Sequence, residues 1–554
     1  MTETQLPIDF LHWVLALLPL IVLLVLLVPL QWTAPKAAPV GMVTAAIIAL
    51  LAFRTPWDTL AIASSRGIWD AIFILYVIWP ALLLYRITDR AGAFAALRRG
   101  IRQYSRNELF LVLAFGWVFA SFLQGITGFG APVAVVAPLL VALGLRPVYA
   151  VAVPLIGHAW ANMFGTLAVC WLATLQVVDL QNPTATALET ALLLWVPNLT
   201  AGFTIAWMYG RRAALRQSWP MVLMISLIHG GLQFGLMFWN PILSTLLAVT
   251  AALMALYPLS TWDRYSEPVA SIDQSPMMRS DRTPPGEKAE AQSDEPKPVM
   301  DLRMALVPYV ILAVMAVLVL VVDPVEATLE QVQIGVPLSA ATTGYGISNE
   351  AQDPYDPISL LTHPGAFLLA ASVVTWLVYR WKGYYRRWAQ RTEVEGLWSA
   401  LAGDAVPSSL AVLAFLVMSG ILDYSGQTEM LALGISEVAP PLVYAFAANF
   451  IGVLGAFMTS SNTASNVLFA PLQLTVANAE GLSEASIIAA QGTGGAVGNA
   501  IAPANVVLGT GTAGIVGCEG AVIKRTIYWT LGVSVIVGGF TLLLNTLTLF
   551  QHVA

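Results

Sequence analysis

Long apolar runs recur from one end of this chain to the other, among them residues 13–30, 304–322 and 527–549. A membrane-spanning helix needs about 20 predominantly apolar residues. Inside lipid every backbone N–H and C=O must be satisfied within the protein, so only helices and closed barrels can span. Runs of this length are helical, and the expected class is an all-α polytopic membrane protein. The charge content agrees: 10% of the residues are charged, against about 25% in soluble domains. The first ten residues hold Glu3 and Asp9 but no Lys or Arg, and no small-residue cleavage site follows Leu30. The first run therefore reads as a retained helix rather than a secretory signal.

Two stretches, one in each half, break apolar runs with polar, backbone-rich sequence: Gln124-Gly-Ile-Thr-Gly-Phe-Gly-Ala-Pro132 and Thr459-Ser-Ser-Asn-Thr-Ala-Ser-Asn466. Each is followed by a further apolar stretch that is itself interrupted, at residues 157–165 and 491–499. Such backbone is tolerated at membrane depth only where it is buried in protein or lines a wet cavity. Paired interruptions at corresponding places in two halves point to the binding site of a transporter.

Charge placement orders the spans, because Lys and Arg gather in cytoplasmic loops. They cluster at Arg86–Arg106, at Arg211, Arg212 and Arg216, at Arg380–Arg391 and at Lys524 and Arg525, whereas residues 323–364 hold six acids and no Lys or Arg. This acidic segment is expected outside, as are both termini. A hairpin over about 109–145 then enters from the cytoplasm, and a second over about 440–478 enters from the opposite face. Removing both leaves about twelve full spans. Residues 1–261 and 303–554 read as two inverted-topology repeats, each with a re-entrant hairpin and then a broken helix. Residues 262–302, rich in Pro, Ser, Glu and Asp, cannot bury enough apolar surface to fold and read as a disordered cytoplasmic linker.

At the motifs Phe122-Leu-Gln-Gly-Ile-Thr-Gly-Phe-Gly-Ala-Pro-Val133, Thr459-Ser-Ser-Asn-Thr-Ala-Ser-Asn-Val-Leu-Phe469 and Thr493-Gly-Gly-Ala-Val-Gly-Asn-Ala-Ile-Ala-Pro503 the chain resembles the lactate permease family of bacterial 2-hydroxy-acid transporters. The resemblance implies secondary active, ion-coupled symport of a small monocarboxylate such as lactate or glycolate across the inner membrane. The wider set of carriers to which the family belongs also allows a homodimer. The family pattern carries a glutamate where this chain has Gln124, an aspartate where it has Asn462 and a lysine where it has Asn499. An amide keeps the shape and hydrogen bonding of the acid but does not titrate. Another organic anion, a sulfonate or larger hydroxy acid, is thus an alternative substrate, and a passive anion channel is a rival from another class.

A carboxylate at the bilayer midplane needs donors, and helix N-termini provide them. The candidate substrate-binding residues are Gln124, Gly125, Thr127, Gly128, Gly130, Asn162, Ser460, Ser461, Asn462, Thr463, Thr493, Gly494 and Asn499. The glycines admit close approach of backbone, unless they serve only to pack helices. Gly492–Gly495 are the expected unwound section of the second broken helix. Ser461, Asn462 and Thr463 could also hold Na⁺. His158, inside the first break, is the candidate coupling residue if protons drive transport, and Trp160 beside it could wall the pocket. His229 is expected to pack within a span. No Walker A loop, metal cluster, hydrolase nucleophile motif or basic nucleic-acid face is present in the sequence, so no cofactor, no enzymatic activity and no nucleic-acid partner are expected. The coupling ion would be H⁺ or Na⁺, and the partners a small organic anion and the lipid bilayer.

Overall fold

The computed structural model describes residues 6–27, 29–30, 32–102, 105–128, 130–267, 275–279, 299–392 and 395–547. Among them ten helices are long and apolar enough to cross a membrane, and a bent pair makes up to eleven. The protein is a polytopic, helical membrane protein. Its longer helices in chain order are α1 (Phe10–Leu27), α2 (Ala34–Leu51), α3 (Trp57–Arg90), α4 (Ala93–Arg102), α5 (Glu108–Ile126), α6 (Ala131–Ala142), α7 (Pro147–His158), α8 (Gly165–Val177) and α9 (Pro183–Met237), the last broken by a kink at Gly210 and Arg211. There follow α10 (Pro241–Ser260), α11 (Leu302–Val321), α12 (Pro364–Trp381), α13 (Leu397–Tyr424), α14 (Gln427–Val438), α15 (Pro441–Thr459), α16 (Asn462–Glu480), α17 (Glu484–Gly498), α18 (Pro503–Thr512) and α19 (Glu519–Leu547). Many start where local chemistry dictates. Pro opens α7, α9, α10, α12, α15 and α18, where its missing N–H costs nothing. Asn107, Asn182, Asn240, Ser461 and Ser483 cap α5, α9, α10, α16 and α17 through side-chain oxygens, as capping requires.

Small residues set the closest helix contacts. Helices α3 and α13 cross where a methyl group built on Gly67 would stand 2.5 Å from the Val417 Cα, and one on Gly420 2.8 Å from the Ala63 carbonyl oxygen. Ion pairs pin the ends of this crossing, Arg66 to Asp423 at 3.2 Å and Arg86 to Asp404 at 2.5 Å. The same device recurs in each half. A methyl on Gly157 of α7 would lie 2.0 Å from the Gly116 carbonyl of α5, and one on Gly494 of α17 would lie 1.9 Å from the Asn449 carbonyl of α15. Backbone-to-backbone packing of this kind is how helices associate without a hydrophobic drive from lipid. Every residue of α5 from Leu109 to Ile126 is buried, while Leu51, Met254, Val373 and Val535 face outward.

The acidic segment adds an element that hydropathy did not show. Strands β1 (Gln333–Leu338) and β4 (Gln352–Ser359) pair antiparallel around the shorter pair β2 (Ala341–Thr342) and β3 (Ser348–Asn349). Leu338, Tyr355 and Ile358 pack with Trp69 of α3. The expectation of a disordered linker over 262–302 needs correction in two places. Tyr265 is buried against Phe110, and its hydroxyl accepts from the Met221 N–H. Met277 and Met278 are buried, and residue 277 accepts a backbone bond from Arg146. Single large apolar side chains dock these pieces despite the polar composition around them. Residues 268–274 and 280–298 of that stretch lie outside the described residues.

Candidate functional site

The breaks in hydropathy fall at helix ends. Between α5 and α6 the chain turns through Gly128 and Gly130, with φ of 56° and 82°, a left-handed conformation that glycine adopts without strain. Between α15 and α16 it turns at Ser460, φ 58°, and Ser461. Helix α7 ends in a 3-10 turn over Ala159–Asn162, and α8 leaves at 54° to it. Helix α17 ends in a 3-10 turn over Asn499–Ile501, Ala502 is extended, and α18 starts at Pro503. Gly492–Gly495, expected to unwind, are helical instead. They pack against Met163, Asn449 and Asn462, and Pro503, which cannot continue a helix, moves the break downstream.

These four ends meet. A methyl on Gly130 would touch Leu508 at 2.5 Å and approach Asn505 Oδ1 at 3.6 Å. The Ala504 N–H of α18 donates to Ser460 Oγ at 3.1 Å. The Thr166 hydroxyl donates to the Gln124 carbonyl at 3.4 Å. Asn462 and Asn466 direct their amide nitrogens at Met163 Sδ, at 4.0 and 3.3 Å. The N-termini of α6, α8, α16 and α18 thereby adjoin one another, and their free N–H groups and dipoles favour negative charge.

A chain of amides runs through the meeting point. Asn505 Nδ2 donates to Asn499 Oδ1 at 2.5 Å, Asn499 Nδ2 to Asn162 Oδ1 at 2.9 Å, and Asn162 Nδ2 to the Ala159 carbonyl at 2.9 Å. Each NH₂ group has two hydrogens, and the second has no partner among the described residues. Asn162 and Asn499 are 6% and 8% exposed, while Gly130, Ser460 and Asn505 form a half-buried edge beside them. A cleft lined by Ile87, Arg90, Trp376 and Arg380 shares no residue with this site.

Several expected residues have other employment. Gly125 packs against Val249 of α10, and Gly494 makes the backbone contact with Asn449. Thr127 bonds within its own helix to the Leu123 carbonyl, and Thr493 is fully buried with its hydroxyl unpartnered. Of the three oxygens considered for Na⁺, Ser461 Oγ caps α16 and Thr463 lies against Cys170, which leaves Asn462 Oδ1 without a donor. His158 Nδ1 lies 2.5 Å from the Pro154 carbonyl of its own helix, and no contact joins it to the amide chain. The Trp160 ring lies against His229, 4.7 Å between centroids and tilted by 31°, and its N–H donates to Ser121 Oγ, so it belongs to an aromatic cluster and not to the amide chain. Asn505, Asn466 and Gln491, not among the expected site residues, also make contacts where these helix ends meet. Asn505 was legible as a polar residue two positions after a helix-starting proline. Gln491 and Asn466 bond each other at 3.2 Å, a contact no spacing reveals.

Strain is stored beside the first break. Thr166, Leu167 and Ala168 have φ of 51°, 53° and 60°, and a left-handed turn costs roughly 1–2 kcal/mol per non-glycine residue. Ala168→Gly is therefore expected to raise the melting temperature, although glycine in an ordinary helix lowers stability by about 1 kcal/mol. A lowered melting temperature in detergent would show that the left-handed run is not strained.

The family model for L-lactate permease matches residues 12–548. The chain belongs to the L-lactate permease family. It is a secondary transporter and not an enzyme, and a multi-pass protein of the bacterial inner membrane. It is 27% identical to the glycolate permease GlcA of Escherichia coli K12 over 95% of this chain and 94% of that protein. It is 28% identical to the L-lactate permease of Salmonella typhi over 96% and 95%. The solved Alcanivorax borkumensis YdaH transporter aligns over 97% of this chain and 99% of its own at 15% identity, with a TM-score of 0.47, a loose likeness.

Proposed function

We propose that this permease moves a small 2-hydroxy monocarboxylate, lactate or glycolate, by ion-coupled symport, and that the amide chain Asn162–Asn499–Asn505 holds the carboxylate. The observation that carries this reading is the set of unused amide hydrogens where four helix N-termini adjoin. Neutral donors and helix dipoles bind an anion without burying a counter-charge that must itself be desolvated. Gln124, Gly128, Gly130, Ser460 and Asn462 complete the site in this reading, with Ser460 and the Gly130 edge facing the approach. The names of the relatives, permeases for lactate and for glycolate, support the substrate class.

In the architecture we infer, helices α5–α6 and α15–α16 are hairpins entering from opposite faces, and α7–α8 and α17–α18 are broken spans. The rest supplies full spans, so that residues 1–261 and 303–554 form inverted repeats. The matching glycine contacts of α7 on α5 and α17 on α15 support this pairing. So does the antiparallel α3–α13 crossing, pinned at both ends by arginine–aspartate pairs.

The test is exchange of labelled L-lactate or glycolate into proteoliposomes containing the full chain. Wild type is expected to exchange one of these acids. Asn499→Ala should weaken half-saturation by at least about ten-fold, since it leaves Asn162 and Asn505 without their common partner, while folded yield is retained. Wild-type affinity in this variant would remove the amide chain from the site. Exchange of a sulfonate but not of either hydroxy acid would refute the substrate.

A further inference from the structure

Two carboxylates are buried among the described residues, Asp70 and Glu189. Asp70 has Arg66 3.9 Å away and accepts from the Tyr355 hydroxyl at 3.0 Å. Glu189 is different. It is completely buried on α9, six residues from Pro183 and so about 9 Å along the helix. Its Oε2 accepts from Ser486 Oγ at 2.6 Å, and its Oε1 has no partner. It makes no ion pair among the described residues.

The charged and titratable groups of the neighbouring elements are engaged elsewhere. Glu484 of α17 is held by Gln181, and Glu108 of α5 by the Tyr209 hydroxyl. Glu519, Lys524 and Arg525 stand at one end of α19, and α10 carries no charge. His158 ends α7 against Pro154. His229 bonds Asn198 at 3.1 Å, nine residues further along α9 and so about 13 Å away by helical rise. Arg211, Arg212 and Arg216 lie further still. A bare carboxylate at Glu189 would face a desolvation cost of several kcal/mol with one hydroxyl to offset it, whereas a neutral acid suits the site.

Ser486 belongs to α17, whose far end carries Asn499 about 20 Å away by helical rise. One rigid leg therefore links Glu189 to the amide chain. We propose that Glu189 binds the co-transported proton, holding it as a carboxylic acid in one orientation of α17 and releasing it as a carboxylate in the other. This rests on the symport reading above and names its coupling ion and the residue that carries it.

The experiment compares wild type and Glu189→Gln in proteoliposomes by two readouts: exchange of labelled L-lactate at equal pH, and accumulation under an imposed pH gradient. Glutamine keeps the bond to Ser486 but cannot titrate. Exchange should survive within about two-fold, while gradient-driven accumulation falls at least about ten-fold. Accumulation equal to wild type overturns the proposal, as does wild-type accumulation driven by Na⁺ alone. If wild type fails to exchange any monocarboxylate, the function itself is wrong. Should the glutamine variant not reach the membrane, Glu189→Asp decides. Retained accumulation with a displaced pH profile supports the proposal, and a profile identical to wild type overturns it.

Discussion

Gly494→Val is expected to abolish exchange and to remove most of the folded protein from a gel-filtration profile in detergent. The methyl position at Gly494 lies 1.9 Å from the Asn449 carbonyl oxygen and 2.7 Å from its carbon. Both are main-chain atoms of α15, so no side-chain rotation relieves the clash. Overpacking a core costs about 1–3 kcal/mol where side chains can shift, and here two whole helices must part. The helix displaced is the one that carries Asn499. Gly532→Val on α19 is the control, because nothing lies within 4 Å of its methyl position. Equal stability of the two variants would mean that α15 and α17 are not packed backbone to backbone.

Arg66→Ala should be the most destabilising loss of a charge, by about 1–3 kcal/mol, the cost of leaving the buried Asp70 short of a partner, because the pair with the 43% exposed Asp423 is screened by solvent. Arg66 bonds Asp423 at 3.2 Å and the Tyr355 hydroxyl at 2.9 Å, and it lies over the rings of Tyr355 and Tyr424. Without it, Asp70, 4% exposed, keeps only the Tyr355 hydroxyl. The β segment is tied to α3 through the same tyrosine and through Trp69 Nε1, which donates to the Asp356 carbonyl. The readouts are a lowered melting temperature and faster proteolytic cleavage within residues 333–359. Arg66→Lys should rescue only part, since an ammonium cannot serve three partners with the planar fork of a guanidinium. An unchanged melting temperature in Arg66→Ala would show that the pairs are screened surface contacts of little worth.

What the sequence showed of the site varied with the kind of signal. The polar breaks at 124–132 and 459–466 coincide with helix ends because a lost apolar run and a left-handed glycine or serine act locally. The second broken helix was misplaced, because Gly492–Gly495 looked like weak helix formers. Gly494 and Gly495 instead let α15 and α16 approach, and tertiary packing outweighs a propensity cost of about 1 kcal/mol. Glu189 escaped notice altogether. A single acid early in a span reads as lying near an interface, and only the packing of α17 over it seals it from water.

By itself the sequence determined the class, a helical membrane protein of the lactate permease family, together with the two polar breaks at 124–132 and 459–466. Hydropathy, proline and left-handed turns act over a few residues and can be read along the chain. The tertiary structure alone decided which polar groups share a buried volume: Asn505 with Asn499 and Asn162, Asn466 with Gln491, and Glu189 with Ser486 and, among the described residues, no cation. Those groups come from helices up to 337 residues apart. Their meeting depends on how closely glycines let the backbones approach, a property of the packed whole.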